Sequence, residues 1–157
     1  ALARDVAAYD QRGCLSPRVV FAHGSLAPHA DAIVAALDQV ESSLPSGRRP
    51  AGIEAELARW RDTCAALGQR RVASRGQTVA IDEGSLLPLG PTHRNLLLRP
   101  AHAHALEPYA RHIKVIGVAG QEPSTSHAAP RRPVGRMQSP ELHAGADGYT
   151  MSEGWLR

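Results

Sequence analysis

Residues 13–22 read Gly13-Cys14-Leu15-Ser16-Pro17-Arg18-Val19-Val20-Phe21-Ala22, a turn signal followed by a strand signal. Gly13 and Pro17 interrupt regular structure on either side of the thiol, so Cys14 is predicted to lie on a turn. The apolar, β-branched run of residues 18–22 predicts a short buried strand directly after that turn. The sequence thus places a thiol where a turn enters a buried strand.

Two amphipathic helices are predicted after this strand, one over residues 29–44 that is entered at Pro28 and one over residues 51–67 that stops at Gly68. In each, apolar residues recur at helical spacing and form one stripe that faces a core. The stripes are Ile33, Leu37, Val40 and Leu44 in the first helix and Ile53, Leu57, Trp60, Cys64 and Leu67 in the second. Trp60 and Cys64 are therefore predicted to be core residues.

The remaining elements complete an α/β pattern. Helix is predicted at the start of the chain, strands over residues 77–81, 95–98 and 113–118, and a helical turn over residues 103–111. Because helix begins at Ala1, we expect the chain to start inside a structural unit and to be a fragment of a longer protein. Residues 121–157 are rich in Pro, Ser, Gly and Arg without periodicity, which predicts an irregular tail.

Composition excludes several classes of protein. The net charge is only +3, the arginines are dispersed among acids and 4% of the residues are aromatic, so nucleic-acid binding has little support. No run approaches the ~18–20 apolar residues that a membrane span needs, and no secretory signal pattern opens the chain. Cys14 and Cys64 form neither a CxxC pair nor a ligand-spaced cluster, which argues against zinc and disulfides and favours a reducing cytoplasm.

Cys14 is the candidate nucleophile. A thiol becomes catalytic when it is exposed on a sharp turn, partly ionised, and close to backbone N–H groups that can hold an oxyanion. Gly13 provides the backbone freedom for such a turn and leaves room for an incoming thioester. From these local features alone, a structural cysteine beside a glycine remains an open alternative.

Residues 5–17 read Asp5-Val6-Ala7-Ala8-Tyr9-Asp10-Gln11-Arg12-Gly13-Cys14-Leu15-Ser16-Pro17. This contiguous segment closely resembles the active-cysteine segment of the LuxC-type long-chain acyl-CoA reductases, a family known from bacterial bioluminescence. More distantly, Gln11-x-Gly13-Cys14 followed by a strand and a long helix is similar to the catalytic-cysteine region of the aldehyde dehydrogenase superfamily.

The resemblance extends along most of the chain. It continues in order through residues 44–47, 90–94 and 113–120, and so covers residues 1–120, which we expect to be the catalytic-cysteine region. Residues 134–140 and Asp147-Gly148 resemble the end of the same family, although the stretch between is shortened and altered. We therefore expect residues 121–157 to be an irregular and degenerate C-terminal tail.

The resemblance implies a fold and a reaction. The fold would be a partial aldehyde-dehydrogenase-like catalytic domain, with a mostly parallel sheet in three layers and the N-terminal nucleotide-binding domain absent. Cys14 would attack the thioester of a fatty acyl-CoA or acyl-protein, and hydride from NADPH would then release the aldehyde. The family also implies an acyl-protein synthetase and a second copy of the chain as partners. No GxGxxG follows a predicted strand here, so we expect the fragment alone to be inactive in hydride transfer.

For several other polar residues, an exposed loop or turn position is an alternative to a functional role. His102 and His104 could present two imidazoles to a metal, but without a third ligand they are predicted to be exposed loop residues. His23 could assist the thiol, although a strand separates the two in sequence. Asp82-Glu83 could supply an acid or base, yet a solvated turn before Gly84 fits better.

Ser16 and Arg18 also border the thiol in sequence. Ser16 could cap a following turn, and Arg18 could meet a phosphate of CoA, but ordinary capping and surface charge account for both.

Two other functions stay open. The chain could be a non-catalytic remnant or a subunit-contact module of such an enzyme, or it could belong to a reductase of the same superfamily that acts on short acyl-CoA or on an acyl phosphate.

Overall fold

The computed structural model describes residues 1–67, 69–72, 75–84, 87–120 and 127–139. A mixed four-stranded sheet lies at its centre, with the strands in the order β1-β4-β3-β2. Strands β1 and β3 both pair in parallel with β4, and β2 pairs antiparallel with β3. The strands are β1 (Val19–Ala22), β2 (Gln69–Val72), β3 (Thr78–Ile81) and β4 (Leu96–Pro100).

Helices cover both faces of this sheet, which makes the protein a three-layer α/β structure. They are α1 (Leu2–Ala7), which continues as the 3₁₀ segment Ala8–Gln11, followed by α2 (Leu26–Val40) and α3 (Ala51–Leu67). A second 3₁₀ segment spans Glu107–His112, and two short parallel strands, β5 (Ile116–Val118) and β6 (Arg131–Pro133), form a separate small sheet. No helix in the described ranges is both long and apolar enough to cross a membrane.

Alternate residues of the strands enter two cores. On one face, α1 and α2 pack against Val79, Ile81, Leu96 and Leu98, and on the other face α3 packs against Ala80 and Leu97. Because β4 is covered on both faces, its three leucines are all fully buried, as expected for a central parallel strand. This central position explains why the sequence of β4 is a continuous apolar run.

Most predicted elements are confirmed, with local differences. Strand β1, which was predicted to be buried, is only partly buried. Helix α3 has the predicted bounds, and Trp60 and Cys64 lie in its core face as expected. Helix α2 begins two residues before Pro28 and ends at Val40, so Leu44 lies beyond it. Leu67 is 58% exposed, which corrects its assignment to the core stripe. Gly68, the predicted stop of α3, lies outside the described residues.

Two strands were not predicted from the sequence. Strand β2 reads Gln-Arg-Arg-Val and lies at the edge of the main sheet, and β6 reads Arg-Arg-Pro, so neither has an apolar pattern. Polar and charged residues are common on edge strands because one side has no neighbouring strand. Backbone pairing, rather than burial, places these residues in sheets.

Part of the predicted tail is attached to α1. The carboxylate of Asp5, which is 2% exposed, accepts hydrogen bonds from the backbone N–H groups of Gly135 and Met137. Residues 127–139 therefore contact the body of the protein, whereas residues 121–126 and 140–157, including Asp147-Gly148, lie outside the described residues. The boundary at residue 120 stays a prediction.

Replacement of Gly90 by alanine should destabilise the α3 face of the sheet. A Cβ at this position would lie 2.7 Å from a ring carbon of Trp60, whose indole N–H donates to the carbonyl of Pro88 at 3.0 Å. Overpacking of this kind costs about 1–3 kcal/mol, measured as the free energy of unfolding in urea. Gly84→Ala is the matched control because nothing lies within 4 Å of its added Cβ. Equal stabilities of the two variants would contradict this packing.

Candidate active site

Cys14 lies at the second position of a turn formed by residues 13–16. The backbone N–H of Ser16 donates to the carbonyl of Gly13 at 3.0 Å and closes this turn. Cys14 is exposed, Cys64 is buried, and both are free thiols. The prediction that one thiol lies on a turn and the other in the core is confirmed.

The backbone strain in this loop lies before Gly13 rather than at it. Tyr9, Asp10 and Gln11 have φ angles of 53°, 51° and 60°, whereas Gly13 is not among the residues of positive φ. Left-handed backbone costs roughly 1–2 kcal/mol for each residue with a Cβ, so other contacts must hold this segment. The expectation that Gly13 provides backbone freedom for the turn is therefore wrong.

Gly13 is instead closely packed. A Cβ on this residue would lie 3.3 Å from the Oε1 atom of Gln138 and 3.4 Å from the hydroxyl of Ser16. The Nε2 atom of Gln138 also donates to this hydroxyl at 2.8 Å. The buried Ser16 hydroxyl therefore binds the segment that follows β6 and does not act as the predicted cap.

The buried amide of Gln11 closes the loop that carries Cys14. Its Nε2 atom donates to the carbonyls of Pro17 at 2.6 Å and Asn95 at 2.7 Å, and its Oε1 atom accepts the backbone N–H of Asn95 at 2.8 Å. One side chain thus joins both ends of the loop to the residue that precedes β4. In the sequence, Gln11 is recognisable only as part of the motif, because its partners lie up to 84 positions away.

Arg94 also holds the strained segment in place, through an ion pair and hydrogen bonds. It is 1% exposed, and its guanidinium lies 2.7 Å from Asp10 Oδ1 and 2.8 Å from Glu41 Oε2. It also donates to the carbonyls of Leu44 at 2.8 Å and Ala7 at 3.4 Å. A buried guanidinium is tolerated only when paired and hydrogen-bonded in this way, so Arg94 fixes the 3₁₀ segment against the end of α2.

Glu41 extends this network to the residues after α2. Its Oε1 atom accepts the backbone N–H of Ser46 at 2.7 Å and its hydroxyl at 2.6 Å. Burial raises the pKa of Glu41, but these hydrogen bonds and the charges of Arg94 and Arg75 outweigh it, so the pKa lies below its ordinary value. Glu41 is therefore an ionised acceptor at neutral pH.

His93 lies beside the same loop and is 8% exposed. Its backbone N–H donates to the carbonyl of Asp10 at 3.0 Å, and its Nδ1 atom lies 3.0 Å from the Thr92 hydroxyl. Burial, followed by the positive charges of Arg49 and Arg12, lowers the pKa of His93 despite the opposing charges of nearby carboxylates. The structure thus provides a neutral imidazole that sequence analysis did not single out.

The other candidate residues are distributed over the molecule. His102 and His104 are exposed as predicted, and His104 pairs with Glu107 at 2.6 Å. No cluster of three or more metal-ligating side chains occurs within the described part of the chain. His23 is exposed, and its carbonyl lies 3.1 Å from the Nε2 atom of His29.

Asp82 is not the solvated turn residue that we expected. It is 4% exposed, and its Oδ2 atom accepts hydrogen bonds from Arg99 Nε at 3.0 Å and Nη2 at 2.6 Å. Ile81 pairs in parallel with Leu98, so the residues that follow them, Asp82 and Arg99, lie side by side. The two residues are 17 positions apart in the chain, so the sequence alone does not reveal this contact. Glu83, in contrast, is exposed.

Arg18 is half-buried rather than a free surface charge. Its guanidinium donates to the carbonyl of Gly90, and burial lowers its pKa. It lines an open cleft of about 410 Å³ together with Trp60 and Leu89.

Comparison with known proteins identifies a family. The family model described as acyl-CoA reductase (LuxC) matches residues 1–129, which include the Cys14 loop, the main sheet and its helices. No curated protein matches the chain.

Removal of the Arg94 side chain should strongly destabilise the protein. Arg94→Met leaves the partly buried carboxylates of Asp10 and Glu41 without their cation, which should cost about 3 kcal/mol, the lower end of the range for breaking a buried ion pair. Arg111→Met, which replaces an exposed arginine, is the control and should change stability by at most about 0.5 kcal/mol. Urea unfolding followed by circular dichroism gives both values. Similar losses for the two variants would contradict a structural role for Arg94.

The pair of Asp82 and Arg99 should make stability depend on acidic pH. Burial raises the pKa of Asp82, but the hydrogen bonds and charge of Arg99 and the N–H groups of Leu87 and Gly84 lower it below its ordinary value of 3.8. The contribution of the carboxylate is therefore complete above pH 3.8 and is lost as pH falls through the lower pKa of the folded state.

The substitution Asp82→Asn tests whether this contribution to stability is lost as pH falls. The stability gap between wild type and variant should be widest near pH 7 and should narrow below pH 3.8. Glu83→Gln, which replaces the exposed neighbouring carboxylate, is the control and should change stability near pH 7 by at most about 0.5 kcal/mol. A series of urea midpoints across this range measures both. A gap for Asp82→Asn that does not change with pH would show that the pair contributes no ionic stabilisation.

Proposed function

The chain belongs to the LuxC family of acyl-CoA reductases, and on that premise we propose that Cys14 accepts the acyl group of a fatty acyl thioester. The observation that carries the proposal is the free, exposed thiol on a turn whose two ends are joined by Gln11. An accessible thiol on a rigid loop is the arrangement that covalent acyl transfer requires. The fatty chain, as opposed to a short acyl group, is part of the proposal.

The proposed step is a thioester exchange. The Cys14 thiolate attacks the carbonyl carbon, a tetrahedral oxyanion forms, and the carbon–sulfur bond of the donor then breaks. The products are S-acyl-Cys14 and the thiolate of CoA, or of a carrier protein, which takes up the proton that Cys14 lost. The exchange needs no oxidant or reductant, so it is separable from the reduction that follows.

Two backbone groups on the turn are candidate oxyanion donors. Among the described residues, no atom accepts a hydrogen bond from the N–H groups of Cys14 and Leu15. Adjacent, unengaged N–H groups beside a nucleophile are suited to a developing negative charge. The N–H of Cys14 would supply the first donor and the N–H of Leu15 the second.

Reduction of the S-acyl group to an aldehyde would use hydride from a reduced nicotinamide, which we propose to be NADPH. The described residues do not fit this cofactor: the turn between β1 and α2 contains one glycine, Gly24, and lacks the glycine-rich cradle that a pyrophosphate needs. The chemistry assigned to these residues therefore ends at S-acyl-Cys14. We also propose a cytoplasmic enzyme that works with an acyl-protein synthetase and a second copy of the chain.

Acylation of Cys14 is tested by intact mass spectrometry after incubation with long-chain acyl-CoA. Wild type should gain one acyl group that hydroxylamine removes, because thioesters are labile to this nucleophile. Cys64→Ala is the matched control and should be acylated equally, since Cys64 is buried, whereas Cys14→Ser should lose the thioester. The reaction should be faster with a long-chain donor than with a short-chain one.

The absence of an adduct in protein shown to be folded by circular dichroism would overturn the proposal. That result would favour a non-catalytic or subunit-contact role. A faster reaction with short acyl-CoA or with an acyl phosphate would retain Cys14 as nucleophile and overturn the fatty substrate.

A further inference from the structure

An open cleft of about 290 Å³ lies at the start of α3 and has no part in the acylation described above. Its walls carry three arginine side chains and one carboxylate. The lining residues are Ser46, Gly47, Arg48, Arg49, Glu54 and Arg75. Three positive charges against one negative charge give this cleft a net positive charge, which favours anions.

One of the arginines is already held in place. Arg49 Nη1 lies 3.5 Å from Glu54 Oε1, and the Arg49 side chain is only 11% exposed. Arg48 and Arg75 are exposed residues on the same cleft. A guanidinium with its conformation already restricted loses less entropy when it binds a phosphate, and its planar donors match two phosphate oxygens.

The cleft is connected to the Cys14 loop by hydrogen bonds. The backbone N–H of Gly47 donates to Asp10 Oδ2 at 3.0 Å, and Ser46 binds Glu41, which also pairs with Arg94. The 3₁₀ segment that leads to Cys14 and the wall of the cleft therefore belong to one fixed network.

One histidine interacts with charges of both the cleft and the Cys14 loop. After burial, the positive charges of Arg49, in the cleft, and Arg12, two positions before Cys14, lower the pKa of His93.

We propose that this cleft binds the phosphates of the CoA moiety of the thioester donor. The inference rests on the proposed acylation of Cys14, because it names the part of the donor that is held while the carbonyl meets the thiol. The diphosphate and the 3′-phosphate of CoA supply several negative charges, and the arginines of the cleft provide matching donors. The N-terminus of α3, which begins at Ala51 beside these residues, adds to the positive potential.

Calorimetric titration of the full chain with CoA, dephospho-CoA and pantetheine tests the binding directly. CoA should bind most tightly and pantetheine should not bind measurably. Arg49→Gln, and the double replacement Arg48→Gln with Arg75→Gln, should each weaken CoA binding about tenfold or more, as expected for lost charge-assisted bonds. Arg111→Gln, an exposed arginine away from the cleft, is the control and should bind CoA like wild type.

Unchanged affinity of CoA in both cleft variants would overturn the proposal. Because Arg49 pairs with Glu54 and its replacement could affect folding, the exposed Arg48 and Arg75 provide the second, independent variant. Equal affinities for CoA and pantetheine in wild type would also overturn it, since the phosphates would then contribute nothing.

A comparison of two acyl donors separates this inference from the proposed function. Acylation of Cys14 by acyl-CoA should be slower in the cleft variants at low donor concentration, whereas acylation by acyl-pantetheine, which lacks phosphates, should be unchanged. If acyl-pantetheine acylates wild type as fast as acyl-CoA does, the phosphate site is wrong and the nucleophile stands. If neither donor acylates Cys14 but CoA binding still requires the arginines, the phosphate site stands and the acyl-transfer function fails.

Discussion

The buried guanidinium of Arg94 is the constraint on which the loop before Cys14 depends. It pairs with Asp10 and Glu41 and binds two carbonyls, so it joins the 3₁₀ segment, the end of α2 and the residues that precede β4. Burial of these charges is costly, and the net gain from such a pair is small. Its effect is specificity, because a loop that moved Asp10 away would remove one partner of the buried guanidinium.

This constraint explains how three consecutive residues can remain left-handed without glycine. Their backbone energy is unfavourable by a few kcal/mol in total, which Asp10 and Gln11 offset through their bonds to residues 93–95. The strained segment leads directly into the turn that carries Cys14. The thiol is thus exposed on a loop that the buried side chains of Arg94 and Gln11 hold in place.

The loop lies at the amino ends of the parallel strands. Cys14 precedes β1, Asn95 precedes β4, and the Asn95 amide accepts the backbone N–H of Thr78 at the start of β3 at 3.1 Å. In open α/β sheets, ligands usually bind at the carboxyl ends. At the carboxyl edge of this sheet, Arg99 instead binds Asp82 and Tyr109, and Tyr109 packs edge-on against Phe21. The candidate site and this second polar cluster therefore occupy opposite edges.

Periodicity predicted α2, α3, β1, β3 and β4, because each of these elements buries an apolar face. Together with the turn signals of Gly13 and Pro17, it also separated the exposed thiol from the buried one. It did not reveal β2 or β6, which are held by backbone pairing, or Asp82, whose cation comes from a neighbouring strand. The roles of Gln11 and Arg94 arise from contacts more than fifty positions apart in the chain, which no local pattern encodes.

Hydrogen exchange of the backbone amides of His93 and Asn95 tests this account most directly. Both lie outside helices and strands, and their N–H groups are held only by the carbonyl of Asp10 and the side chain of Gln11. If the network fixes the Cys14 loop, both amides should exchange as slowly as those of β4, and Gln11→Ala should release Asn95 while β4 stays protected. Rapid exchange of both amides in the native protein would contradict the account.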